Sequence, residues 1–134
     1  MDFTIWKYEN GYQTDVIPIV YLHSFRGNGE DVWNACNGLK DCPPMVLVSV
    51  NNPGTGLDDE LSPWPAEGVW KDQAPYKGLA AEHLRWMMEE CVPQVEAQFG
   101  GKDILPVIAG YSLAGLFALW AAWNSGYFRR VASV

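Results

Sequence analysis

The sequence predicts an α/β fold, a three-layer sandwich in which a mainly parallel sheet lies between helices. Three observations support this prediction. Strand-like and helix-like segments alternate along the chain. Residues 16–22 and 46–50 are almost wholly apolar, which is typical of strands covered on both faces of a parallel sheet. Residues 104–123 contain an apolar run, a turn and a second apolar run, which indicates a buried strand followed closely by a buried helix.

The first half of the chain is expected to contain an edge strand, two inner strands and one helix. Residues 3–8 alternate apolar and polar side chains and precede Glu9-Asn10-Gly11, which predicts a half-exposed edge strand and a hairpin-type turn. The inner strands are those at residues 16–22 and 46–50. Between them a helix is expected from about Glu30, and its apolar face carries Val32, Trp33, Cys36 and Leu39.

The second half begins with an irregular segment at residues 51–78, which contains four prolines and four glycines. Its length and its tryptophans are typical of a packed binding loop. A helix is predicted at residues 79–99, and Pro93 is expected to kink it because the ring meets the carbonyl of Glu89. Residues 131–134 begin another apolar run. The predicted buried face of the long helix carries Leu84, Met88, Cys91 and Val95.

Length, charge and cysteine content limit the class of protein. A chain of 134 residues predicts one domain over residues 1–134. The formal net charge of -7 argues against nucleic acid or an anionic membrane as a partner, since both would repel it. Three cysteines without a C-x-x-C pair indicate reduced thiols in a cytoplasmic protein, although a bridge between Cys36 and Cys42 is an alternative.

The uncharged stretch at residues 104–123 has the length of a membrane span, so a membrane-spanning helix is an alternative interpretation. Pro106, Gly110 and Ser112 interrupt the stretch, and its β-branched residues gather at the front. We therefore expect a strand, a turn and a helix in a protein with no membrane partner.

Ser112 is the candidate nucleophile because it lies at the apex of the predicted turn between strand and helix. Such a bend lifts a serine out of the sheet and needs small neighbours where the two backbones meet. The usual pattern is G-x-S-x-G, and here Gly110 and Ser112 are followed by Ala114, with glycine delayed to Gly115. The alternative is that Ser112 only caps the buried helix. His23 and Asn51 also follow strands, so three loops are expected to meet at one edge of the sheet.

Four segments resemble the esterase family of α/β-hydrolases that includes the enterochelin esterase and esterase D relatives: VIPIVYLHSF, VLVSVNNPG, SPWPA and IAGYSLAGLFALWA. The resemblance implies that Ser112 accepts the acyl group. It also implies an oxyanion hole that contains the backbone N–H of Leu113 and a second N–H from Ser24 or Phe25. In this family His23 would brace that loop rather than act as the base.

The same resemblance implies a small-molecule ester as substrate and no cofactor. Tyr111, Trp64, Trp70 and His23 are expected to line the substrate pocket, because they lie in or beside loops above the sheet edge. His83 is expected on the surface or in helix packing. The acidic run Asp58-Asp59-Glu60 is expected to be solvated and is too weak a signal for a metal site, so no metal is predicted.

A general base is missing from the sequence after the candidate nucleophile. A serine needs a base, and the base needs a carboxylate that holds its tautomer, but residues 113–134 contain no Asp, Glu or His. The family supplies both from later strands. The expectation is therefore an N-terminal portion of a hydrolase with little or no turnover. Two alternatives remain open: a non-catalytic α/β binding module that keeps the turn, and an acyltransferase on the same scaffold.

Overall fold

A computed structural model of the protein describes residues 2–6, 15–23, 29–51 and 57–134, and it has α/β architecture. The described residues form a five-stranded sheet and a separate two-stranded sheet. The seven strands are β1 (Asp2–Trp6), β2 (Val16–His23), β3 (Val46–Asn51), β4 (Pro65–Ala66), β5 (Tyr76–Lys77), β6 (Asp103–Gly110) and β7 (Arg130–Ser133). The helices are α1 (Gly29–Asn37), α2 (Leu57–Glu60), α3 (Ala80–Trp86), α4 (Val92–Ala97) and α5 (Leu113–Ser125), with a π-helical segment, Met87–Cys91, between α3 and α4.

The large sheet has the strand order β1-β3-β2-β6-β7. Strand β1 runs antiparallel to β3 at one edge, and all other pairs are parallel. The mainly parallel sheet and the edge position of β1 are as predicted. His23 pairs in register with Val50 and with Gly110, so the carboxyl ends of three parallel strands meet at one edge. This edge positions the candidate active site.

Helices cover the two faces of the sheet unequally. The main core joins residues from β2, β3 and β6 with residues from α3, α4 and α5 on one face. On the other face α1 approaches closely, since a Cβ atom at Gly29 would lie 2.3 Å from that of Ser49. The side chains of β2 therefore alternate between buried and half-buried, whereas full cover on both faces was predicted. Leu39 is exposed because α1 ends at Asn37, so its predicted place on the apolar face was wrong.

The long helix contains a change in hydrogen-bond spacing, from α-helical to π-helical, that the sequence pattern did not predict. Val92 donates its backbone N–H to the carbonyl of Met87, five residues earlier, which is the bond of a π-helix. Pro93 has no N–H to donate, so an ordinary helical bond to Glu89 cannot form there. A π-helical segment therefore ends beside the proline at which the kink was predicted. It also buries Met87 instead of the predicted Met88.

The segment after β3 is more ordered than its prolines and glycines indicated. Helix α2 and the β4–β5 pair lie within it. Asp59 connects α2 by hydrogen bonds to β5 and to the residue that precedes α3. The carboxylate of Asp59 accepts the N–H of Lys77 at 3.0 Å, and its backbone carbonyl accepts the N–H of Leu79 at 2.8 Å. The acidic run is thus partly structural rather than only solvated.

Helix α5 is apolar on all sides, and only its inner side is covered by described residues. Phe117, Ala118 and Ala121 are buried in the core, whereas Leu119 and Trp123 are exposed. The predicted buried helix is therefore present, and it is buried on its inner side only. No helix in the described part of the chain is both long and apolar enough to cross a membrane.

Candidate active site

Ser112 lies between β6 and α5 with backbone angles φ 57° and ψ −123°. Positive φ is costly for a residue with a Cβ atom, by about 1–3 kcal/mol, and it persists only where the surrounding structure enforces it. Among the described non-glycine residues only Asp72 shares a positive φ. The backbone at Ser112 is therefore strained, as a sharp turn between strand and helix requires.

Two glycines allow the strand and the helix to meet at this turn. A Cβ atom at Gly110 would lie 2.1 Å from the carbonyl oxygen of Ala114, which no side chain can occupy. A Cβ atom at Gly115 would lie 2.8 Å from Ser133 Oγ and 3.1 Å from the carbonyl oxygen of Val134. The methyl group of Ala114 is fully buried, so the turn has room for a small side chain at that position. The second glycine of the turn is needed one position later than the usual pattern because β7 approaches there.

The backbone hydrogen bonds hold the turn without using the serine side chain. Ser112 donates its N–H to the carbonyl of Val134 at 2.7 Å, and the Val134 N–H donates to the carbonyl of Gly110 at 3.1 Å. Ser112 makes no side-chain bond to the helix end, so the helix-cap alternative was wrong. The Leu113 N–H, in the first turn of α5, has no acceptor among the described residues. The Ser112 hydroxyl and this N–H are thus both available at one place.

A cavity of about 520 Å³ opens beside the turn. Of the predicted site residues, the structure brings Tyr111, Ser112, Leu113 and Trp70 together around it. Tyr111 and Trp70 are 61% and 76% exposed, so they border the cavity rather than enclose it. Trp64 does not border this cavity but a neighbouring one of about 200 Å³. Ser24 and Phe25 lie outside the described residues, as does the predicted turn at residues 9–11.

The structure places His23 in the core rather than at this cavity. His23 and His83 are each 2% exposed, and their Nε2 atoms form a hydrogen bond of 2.9 Å. The ring of Phe117, in α5, lies 4.9 Å from the His23 ring and 5.2 Å from the His83 ring. Neither histidine is among the described residues that line the cavity. His23 is separated from it because its ring is enclosed by these neighbours.

Burial keeps both histidines neutral. It lowers the pKa of His23 well below the usual value, with a further contribution from His83. Burial also lowers the pKa of His83 to about 4. His83 Nδ1 lies 3.9 Å from a carboxylate oxygen of Glu60, whose pKa is raised, mainly by burial. Of the two positions expected for His83, the surface and helix packing, the structure shows the second.

Several residues at the cavity were not predicted from the sequence. Gln73 holds one wall together: its side-chain oxygen accepts the N–H groups of Val69 and Trp70, and its side-chain nitrogen donates to the Tyr76 hydroxyl. Asp58, in α2, also lines the cavity. No periodic pattern could have identified these residues, because they come from a segment without one. In the described part of the chain, no cluster of three or more metal-binding side chains occurs.

The parallel sheet, its strand order and the strained serine between strand and helix define the fold of the α/β-hydrolases. The chain belongs to the family described as "Putative esterase", which it matches over residues 12–134. Among curated proteins, none matches the sequence.

Solved structures of serine hydrolases and related proteins share the fold. The BES protein from Bacillus cereus has 21% identity and a TM-score of 0.72, over 97% of this chain and 53% of that one. The IroE-like serine hydrolase from Shewanella oneidensis has 22% identity and a TM-score of 0.68, over 96% and 44%. The siderophore hydrolase EstB from Aspergillus nidulans has 19% identity and a TM-score of 0.58, over 91% and 48%. The chain thus spans about half the length of the structures that it matches.

Proposed function

We propose that the protein is a serine esterase that cleaves small-molecule carboxylic esters through an acyl-enzyme on Ser112. The observation that carries this proposal is the exposed Ser112 on a strained turn beside a cavity. Glycine would adopt these backbone angles without strain, so a serine at this position supports a role for its side chain. The family assignment to esterases supports the same reaction.

The proposed reaction has two halves. Ser112 Oγ attacks the ester carbonyl carbon while its proton passes to a base, and the carbonyl oxygen becomes an oxyanion. The alcohol leaves with a proton, and the acyl group stays on Ser112 until water attacks it and releases the carboxylic acid. The Leu113 N–H would stabilise the oxyanion together with a second N–H from Ser24 or Phe25. This pair of donors is part of the proposal.

The base is proposed to come from outside residues 1–134. The chain contains two histidines, and both are buried and bonded to each other away from the cavity. No Asp, Glu or His follows Ser112 in the sequence. Residues 1–134 alone should therefore show only the residual catalysis of a serine hydrolase that lacks a triad member, about a thousandfold over water.

The substrate class and location complete the proposal. EstB is a siderophore hydrolase, so ester-linked siderophores are one class of substrate to test. We propose a cytoplasmic location, which the three free cysteines support. An acyltransferase would use the same acyl-enzyme, and transfer of the acyl group to an added alcohol in preference to water would identify it.

Covalent labelling tests the assignment. Full-length protein is treated with a fluorophosphonate, and peptide mass spectrometry locates the label. We expect modification of Ser112, loss of labelling in Ser112→Ala, and unchanged labelling in Ser125→Ala at the far end of α5. Labelling at another residue, or none in the wild type, would refute the proposal and favour a non-catalytic binding module.

A further inference from the structure

Two neighbouring cavities of different character lie beside the turn at Ser112 among the described residues. The larger cavity reaches Ser112 and is bordered by Asp58, Gln73 and Trp70. The smaller cavity is bordered mainly by apolar groups, among them Trp64 and Leu116. Both share a wall formed by Val69, Tyr76 and Leu113. An ester held at Ser112 can therefore place one part in a polar space and another in an apolar space.

Asp58 is the only residue with a formal charge among the described residues that line the larger cavity. Its two neighbours in α2 are engaged: Asp59 bonds Lys77, and Glu60 lies near His83. The carboxylate of Asp58 has no hydrogen bond or ion pair with another described residue. A half-buried carboxylate without a partner favours a bound cation or hydrogen-bond donor, because the ligand would supply the missing interaction.

Trp70 adds a second feature that favours a positive group. Its indole is 76% exposed and borders the same cavity as Asp58. An aromatic face attracts alkylammonium groups, and tryptophan does so best. No lysine or arginine is among the described residues that line the cavity, so no described side chain there competes with a ligand cation for Asp58. The net charge of -7 acts in the same direction.

We propose that Asp58 and Trp70 form a recognition site for a cationic group, so that the preferred esters carry an alkylammonium within reach of the bond that Ser112 attacks. The uncharged part of the substrate would occupy the smaller apolar cavity. This inference rests on the proposed esterase function, since it concerns which esters reach Ser112. Asp58 acts in it as a specificity-determining residue and takes no part in proton transfer.

Matched substrates test the inference in the full-length protein. One pair consists of the nitrophenyl esters of trimethylammoniobutyrate and of its carbon isostere, in which tert-butyl replaces trimethylammonio. A second pair, choline acetate and its tert-butyl isostere, places the charge on the alcohol side. We expect kcat/KM to be about five to ten times higher for the cationic member of at least one pair, which corresponds to one well-placed charged contact.

Variants assign this preference to its residues. Asp58→Asn should reduce the preference to less than about twofold, because kcat/KM for the cationic ester falls about five- to tenfold relative to that for the neutral ester. Glu67→Gln, which removes an exposed acid of the same loop outside the cavity, should keep the wild-type preference. As a readout that needs no turnover, benzyltrimethylammonium should slow fluorophosphonate labelling of Ser112 in the wild type and not in Asp58→Asn.

The outcomes separate the two proposals. If neutral esters are hydrolysed and Ser112 is labelled, but neither pair shows a preference that Asp58→Asn removes, the cation site is refuted and the esterase function stands. If no ester is hydrolysed and no label reaches Ser112, the esterase function is refuted, and the inference that rests on it is refuted too.

Discussion

The turn at Ser112 and the His23–His83 pair differ in the solvent exposure of their polar side chains. Ser112 is exposed at a cavity, its backbone is strained, and its hydroxyl makes no capping hydrogen bond to α5. The two histidines are buried, bonded to each other and packed against Phe117. Both regions lie near the carboxyl edge of the sheet, yet only Ser112 is accessible from the cavity. In this chain the hydroxyl of the proposed nucleophile is accessible, and the two imidazole rings are not.

The largest effect should come from filling the space that the turn requires. Gly110→Ala would place a Cβ atom 2.1 Å from the carbonyl oxygen of Ala114, a backbone atom of α5 that cannot move alone. We expect the free energy of unfolding to fall by about 3 kcal/mol or more, together with loss of Ser112 labelling. Chemical denaturation measures the first effect, and the fluorophosphonate measures the second.

Gly38→Ala is the matched control for this prediction. A Cβ atom at Gly38 would lie 3.5 Å from its nearest neighbours, an ordinary contact. Its effect on the free energy of unfolding should stay within about 0.5 kcal/mol. Equal effects of the two substitutions would show that the close contact at Gly110 does not shape the turn.

The histidine pair should make the protein less stable in acid. The pKa of His83 is about 4 in the folded protein, against about 6.5 in an unfolded chain, so the unfolded state binds more protons between these values. The free energy of unfolding should therefore fall as the pH drops from about 6.5 to 4. The loss from His83 alone would be about 3 kcal/mol, at about 1.4 kcal/mol for each pH unit. The lowered pKa of His23 adds to the loss.

Denaturant titrations between pH 7 and pH 4.5 check this prediction, with His83→Gln as the comparison. The variant lacks one of the titrating rings and should lose less stability over the same interval. Glu60, whose pKa is raised by burial, acts in the opposite direction near the acidic end, because protonation relieves its buried charge. Identical pH profiles for wild type and variant would contradict the assignment of a neutral, buried His83.

The smallest effect should come from relieving the backbone strain at Ser112. Ser112→Gly keeps the turn but removes the Cβ atom that makes φ 57° costly, so we expect a gain of about 1 kcal/mol in the free energy of unfolding. Labelling should be lost with the hydroxyl. Ser133→Gly, in β7, should not stabilise, because glycine weakens strands. A destabilised Ser112→Gly variant would mean that the serine hydroxyl supports the fold.

The parts of the fold that the sequence predicted share a simple physical origin. Burial on one side or both sides leaves an apolar pattern, so the strands at residues 16–22 and 46–50 and the strand-turn-helix at residues 104–123 could be recognised. The turn at Ser112 was recognisable because close backbone contact excludes side chains at fixed positions. These features depend on neighbours in the sequence, and a single chain contains that information.

The features that were missed depend on contacts between distant residues. The pairing of His23 with His83 joins β2 to α3, and the sequence around either residue does not predict this contact. Asp58 and Gln73 reach the cavity because Asp59 and the β4–β5 pair fold the preceding segment back, which proline and glycine content does not reveal. The π-helical segment buries Met87 in place of Met88, and only the balance between core packing and Pro93 decides that register.

The bonds between Val134 and the turn have a consequence for synthesis on the ribosome. The Ser112 N–H and the Gly110 carbonyl both pair with Val134, which is made after the whole of α5. Until then the nascent chain has the strained turn without the strand that satisfies its polar groups. The proposed nucleophile therefore takes up its final geometry late, and a growing polypeptide should stay unreactive towards a fluorophosphonate at least until β7 and Val134 have emerged.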